Sequence, residues 1–195
     1  TLSSFVFIHY DVISCFFLCL AFYIIYFGRF KGAYIVIAVV LLLATLTRET
    51  SALILSLFAL KHREQIFILK GGGKRKLELV GLVLIFVLTY IGLRMHFGTE
   101  NAVFQHTGML WVSLSTTNYL FAFMMCLALA LLFARLAPRE NGLLLLLASP
   151  YILAILIVGV QMEIRLWTPI WILLILVGLT ANKAGKPTES VQGVK

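Results

Sequence analysis

Long apolar stretches separated by short polar clusters run along almost the whole chain. Val12 to Phe27, Leu77 to Leu93, Tyr119 to Phe133, Leu143 to Val160 and Leu166 to Ala181 each approach the roughly 20 residues that carry a helix across a bilayer. None of them alternates apolar with polar residues, which excludes a transmembrane barrel. A further stretch, Tyr34 to Leu60, is uncharged except for Arg48 and Glu49, which sit between Thr47 and Thr50 at its middle. A single helix here would leave a charge pair at mid-bilayer, where charge is costly. Two helices, Ala33 to Leu46 and Ser51 to Leu60, turning at those four residues, keep the pair at a surface. The second is only about 15 to 18 Å long at the usual helical rise, so a re-entrant segment also fits it.

These patterns predict an all-α, polytopic transmembrane helix bundle of about seven hydrophobic segments over residues 1–182, with a polar tail over residues 183–195. Pro150 is expected to kink the sixth segment, and Pro169 to fall in the first turn of the seventh, where proline is tolerated. No internal repeat is visible. The first apolar residues, Phe5 to Ile8, follow almost at once on Thr1, so the chain reads as the C-terminal part of a longer protein.

Composition strengthens the membrane reading. Hydrophobic residues make up 62% and charged residues 12% of the 195, and the mean hydropathy is +1.03. A soluble domain is roughly half apolar and a quarter charged, so lipid is the expected solvent for most of the chain. The net charge of +8 does not point to nucleic acid, because the basic residues sit in short clusters between apolar runs. Arg29 and Lys31, then Lys61 to Lys76, then Arg135 and Arg139, then Lys183 onward all read as cytoplasmic loops of a multi-pass membrane protein, with membrane lipids as its partners. Gly71-Gly72-Gly73-Lys74-Arg75-Lys76 lacks the spacing of a phosphate loop and reads as a cytoplasmic turn touching anionic lipid. Cys15, Cys19 and Cys126 fall inside apolar runs and are expected to be packing residues.

On this topology the opposite face receives His9 to Asp11, Arg48 and Glu49, Arg94 to His106, and Glu163 and Arg165. Half of the eight acidic residues gather there. Ionisable groups at a membrane edge usually face a bundle interior or a watery cavity, which makes this collection a candidate site. Arg48 beside Glu49 is either a self-neutralising pair that stabilises a helical hairpin or a base next to a forked phosphate donor. Glu163 and Arg165 repeat that pairing. Asp11 can cap a helix or act as a base, and the sequence does not separate the two. Trp167 and Trp171 are expected in the interfacial aromatic belt rather than as a sugar-stacking platform. His9, His96 and His106 match no ligand spacing, so neither a metal nor a cofactor is expected.

Two stretches, Ala44-Thr45-Leu46-Thr47-Arg48-Glu49-Thr50-Ser51-Ala52-Leu53 and Gln161-Met162-Glu163-Ile164-Arg165-Leu166-Trp167-Thr168-Pro169, with Tyr10-Asp11 ahead of a span, resemble bacterial polytopic membrane proteins related to the GT-C glycosyltransferases. The resemblance implies a polyprenyl-phosphate-linked sugar donor used at the extracytoplasmic face of a cell-envelope membrane. It implies Glu49 and Asp11 as catalytic candidates and Arg48, Glu163 and Arg165 as substrate-binding candidates. GT-C enzymes also carry an acidic residue in their first outer loop, after their first span; the chain reads as starting downstream of that region, so Asp11 is not expected simply to inherit that role. A carrier for lipid-linked saccharides, or a non-catalytic membrane subunit, would use the same charges without chemistry.

Overall fold

Residues 8 to 27 contain no proline or glycine, and they form α1 (Ile8–Phe27), about 30 Å long at the usual rise. A computed structural model describes residues 8–68, 73–97, 117–158 and 164–185, and everything structural below concerns these. After α1 the chain turns back at Gly32, whose φ of 102° lies in the left-handed region that glycine tolerates. Next comes α2 (Ala33–Thr47), which ends because Arg48 adopts extended backbone at φ −166° and ψ 149°. A 3-10 turn (Glu49–Ser51) leads into α3 (Ala52–Lys61), and a π turn (Glu64–Ile68) follows it. The remaining helices are α4 (Gly73–Phe97), α5 (Thr117–Ala134), α6 (Pro138–Leu147), α7 (Ser149–Val158) and α8 (Ile164–Gly185). The fold is all-α, with no strand among the described residues.

Side-chain contacts show how the helices run. The Ser14 hydroxyl lies 2.6 Å from that of Thr50, and the Lys61 ammonium lies 4.7 Å from the centre of the Tyr26 ring. Thus α3 runs alongside α1 in the same direction, and α2 between them runs the opposite way. The chain reverses at Arg48, where the Thr47–Thr50 turn was expected. In α4, a Cβ on Gly81 would collide with the Tyr34 hydroxyl near the start of α2, so those two helices run together closely. In α6, Glu140 meets Arg63 at 3.3 Å, and the Leu147 carbonyl accepts from Ser56 Oγ at 3.0 Å, which makes α6 antiparallel to α3. Gly178 of α8 abuts Leu136 and Asn141. Arg29, Lys61, Arg63, Arg75 and Arg135 therefore share one end of the bundle. The Arg48 turn, the last turn of α4 and the first turns of α1, α5 and α8 lie toward the other.

Pro150 divides the sixth hydrophobic segment at Ala148. Its ring disfavours helical backbone at Ser149, and it has no N–H to offer the Leu146 carbonyl. Helical bonding from Ala148 to Leu144 at 2.8 Å and from Ile152 to Ala148 at 3.0 Å spans the break, so the segment bends rather than separates. The seventh segment differs from expectation. It begins at Ile164, which puts Pro169 at its sixth residue, inside the helix, where the missing N–H leaves the Arg165 carbonyl without its helical donor. Asp11 is likewise the fourth residue of α1 and so does not cap it.

Leu41, Leu53, Ile54, Leu57, Leu82 and Leu174 are fully buried where α1, α2, α3, α4 and α8 meet. The outside is as apolar as the inside. Val12, Phe16 and Tyr23 on α1 and Leu77, Leu84, Leu88 and Met95 on α4 are all exposed. Among the described residues one helix, Gly73–His96, is long and apolar enough to cross a membrane, and only 6% of its apolar window is buried, unlike the central helix of a soluble core. Shorter apolar helical stretches cover Val12–Phe27, Ala33–Thr47, Ala52–Lys61, Met124–Ala134 and Trp167–Ala181. Two packing expectations need correction. Trp167 is buried in the bundle core instead of lying in an outer belt, and Cys19 is exposed on α1 while Cys126 is buried.

Candidate functional site

The turn that carries Arg48 and Glu49 is held from both sides by buried hydroxyls. Thr45 Oγ1 donates its one proton to the Leu41 carbonyl at 2.7 Å. In its 3.0 Å contact with Ser51 it must therefore accept, and Ser51 donates. The Ser14–Thr50 pair joins the same turn to α1 at 2.6 Å. Ser14, Thr45, Thr50 and Ser51 are all buried, and these bonds to one another and to a helix carbonyl satisfy polar atoms that water does not reach. Thr47 Oγ1 adds a 2.7 Å bond back to the Ala44 carbonyl, closing the end of α2. The turn is thereby set against α1 in one register.

This clasp brings part of the sequence-derived set together. Asp11 lies one helical turn ahead of Ser14, and Arg48, which is half-buried, and Glu49 directly precede Thr50. Arg165 lies in the first turn of α8, which packs on α1 and starts at this same end. Glu163, Glu100 and His106 lie outside the described residues. His96 is exposed in the last turn of α4, and Arg94 donates to the Tyr90 hydroxyl at 3.3 Å while its guanidinium sits 5.2 Å from that ring's centre. Among the described residues no group of His, Cys, Asp and Glu is arranged to hold a metal.

The opposite end carries a cavity that sequence reasoning did not single out. It measures about 260 Å³ and its polar lining is Tyr26, Lys61, His62, Arg63, Glu64, Gln65 and Glu140. Arg63 Nη2 bonds Glu140 Oε1 at 3.3 Å across 77 residues of sequence. Beside it, Arg75 donates to Glu78 Oε2 at 2.6 Å and to Gln65 Oε1 at 3.3 Å, tying α4 to the π turn. His62 packs against Phe58 with ring centres 4.7 Å apart and the rings tilted by 53°. Partial burial, helped by the nearby Arg75 and Lys61 charges and opposed by Glu78, lowers its pKa from 6.5 to about 4. The imidazole is therefore neutral at physiological pH. Around this end Arg29, Lys31, Lys61, Arg63, Lys74, Arg75, Lys76, Arg135 and Arg139 face only Glu64, Glu78 and Glu140 among the described residues, which gives it a strongly positive field.

Asn141 is a second feature that was missed. It is 0% exposed, and its Nδ2 donates to the Phe133 carbonyl at 3.0 Å and the Leu174 carbonyl at 3.1 Å, joining α5, α6 and α8. A carboxamide at the head of an apolar helix was the available sequence signal, since a buried polar group must find hydrogen-bond partners and neighbouring helices supply them. No family model, curated protein or solved structure matches the chain.

Proposed function

We propose that this chain is a polytopic membrane protein, that its basic end faces the cytoplasm, and that its Arg48–Glu49 end transfers a sugar from a polyprenyl-phosphate donor. The observation that carries the reading is the buried Ser14–Thr50 and Thr45–Ser51 clasp, which holds a charged turn beside the first turns of α1 at the end opposite the basic loops. Supporting the multi-pass part are the apolar exterior and the lengths of α1, α4, α5 and α8, about 27 to 37 Å at the usual rise. The sorting of basic loops to one end agrees with cytoplasmic retention of Lys and Arg.

In this chemistry the Glu49 carboxylate takes the proton of the acceptor hydroxyl, with Asp11 as the second carboxylate of the site and Glu163 positioning the acceptor. The acceptor oxygen bonds the anomeric carbon as the bond from that carbon to the phosphate oxygen breaks. The electron pair leaves with the polyprenyl phosphate, whose growing charge Arg48 and Arg165 neutralise. Glu49→Gln is expected to lose about 10² to 10⁴ in rate with folding intact, since shape is kept and basicity removed. Arg165→Lys should weaken donor binding, because an ammonium lacks the guanidinium's two-pronged fit to phosphate. Full transfer by Glu49→Gln, measured in membranes with a polyprenyl-phosphate sugar, rejects the catalytic role. The topology is tested with single cysteines at Thr47 and Lys74, both accessible positions, in a background lacking the native cysteines. Labelling of both from one side of the membrane rejects it.

A carrier for lipid-linked saccharides is the second reading, favoured by the ten-residue α3 and by the interruption of the α6–α7 segment at Ala148. Discontinuous helices of this kind frame binding sites in transporters. Movement of labelled donor across vesicles without transfer selects it.

A further inference from the structure

We infer that the cavity at the basic end is a binding site for a net-anionic phosphate group, held by Lys61 and Arg63 at the mouth formed by α1, α3 and α6. The site is at the opposite end from the proposed sugar transfer and does not depend on it. Three observations converge on it. The cavity of about 260 Å³ is large enough for a phosphate with its first substituents; its wall sets Lys61 and Arg63 against Glu64 and Glu140, and the positive excess comes from the loops around it, in which cations outnumber acids threefold among the described residues. Its wall includes the π turn Glu64–Ile68, a backbone distortion that recurs at functional sites. Its cations are placed but not used up. The Lys61 ammonium rests over the Tyr26 ring at 4.7 Å, a contact made through one side of a group that has three N–H donors. Arg63 makes a 3.3 Å contact to Glu140 through one nitrogen of a group that has five donors. Neutral His62 adds a hydrogen-bonding wall without adding charge.

Glu140 is the built-in competitor. Its carboxylate occupies part of the Arg63 fork, so an arriving phosphate exchanges with it, and the exchange is favoured because phosphate matches the guanidinium in two-pronged geometry. The phosphate can arrive on a lipid head group or on a soluble phosphate compound, and the two sources are separable.

The test uses the whole chain in detergent, titrated by calorimetry with dihexanoyl phosphatidylglycerol, dihexanoyl phosphatidylcholine and inorganic phosphate. Lys61→Met keeps the apolar stem, leaves the Arg63–Glu140 pair intact and removes the ammonium. It is expected to weaken binding about fivefold, the effect of one cation close to an anionic head group. Glu140→Gln frees Arg63 and is expected to tighten binding by about two- to fivefold, the range of an exposed ion pair. A merely structural pair would show no gain. Both variants are compared with the parent by helicity and thermal midpoint. Binding of phosphatidylglycerol alone assigns a lipid head group; binding of inorganic phosphate as well assigns a soluble phosphate. The inference is overturned if all three proteins bind equally, if phosphatidylcholine binds as well as phosphatidylglycerol, or if Glu140→Gln weakens binding.

Discussion

Asn141 is the most informative residue to perturb, because one fully buried carboxamide joins three helices. Its two donated bonds, 3.0 Å to the Phe133 carbonyl and 3.1 Å to the Leu174 carbonyl, each contribute about 0.5 to 1.5 kcal/mol net. Replacement by alanine does not orphan those acceptors. The Phe133 carbonyl also accepts from Leu136 N at 3.1 Å, and the Leu174 carbonyl lies within the continuous helix α8. The cost is therefore the lost bonds plus the space vacated by the carboxamide, about 2 kcal/mol in total. In a chain of this size that lowers the thermal midpoint by about 4 to 8 °C. Asn141→Leu fills the space and also removes Oδ1, a buried acceptor with no partner among the described residues, so it should cost less than alanine. Asn141→Asp aims a carboxylate at two carbonyls and should cost about 3 kcal/mol or more. Thermal or denaturant unfolding in detergent gives the order. The reasoning is refuted if alanine falls within about 0.5 kcal/mol of the parent, or if aspartate is as mild as leucine.

Gly178→Ala should be destabilising by about 1 to 3 kcal/mol, because the new Cβ would lie 2.8 Å from Leu136 Cβ at a backbone-level contact. Gly81→Ala meets only the far end of the Tyr34 side chain, which can swing aside, so its unfolding midpoint should shift much less. His62, with its folded pKa lowered to about 4 against an ordinary 6.5, binds fewer protons in the folded than in the unfolded state between those values. Stability is thus fully present above pH 6.5 and is lost as pH falls toward 4, and His62→Gln should flatten part of that loss in midpoints measured from pH 7.5 down to 4. Thr50→Val keeps shape but cuts the Ser14 bond, leaving a buried hydroxyl short of a partner; it should cost about 1 to 2 kcal/mol, and Ser14→Ala added to Thr50→Val should cost little more than Thr50→Val alone.

The chain's helices and the sorting of its charges were legible in the sequence because they depend on short-range properties. Apolar run length predicts helices, an Arg-Glu interruption inside such a run predicts a reversal, and a proline at position 150 predicts a break close to Ala148. Helix boundaries were less legible: α1 and α8 start earlier than their apolar cores, since polar residues such as Asp11 and Arg165 extend a helix once its later turns are packed. What the sequence could not convey was partnership. Ser14 and Thr50 are 36 residues apart, Arg63 and Glu140 are 77 apart, and Asn141 and Leu174 are 33 apart. No local pattern marks such pairs, because each arises only when whole helices are set side by side. The tertiary structure alone therefore decided that the charged turn is clasped by hydroxyls, that Trp167 packs inside, and that a cavity opens at the basic end.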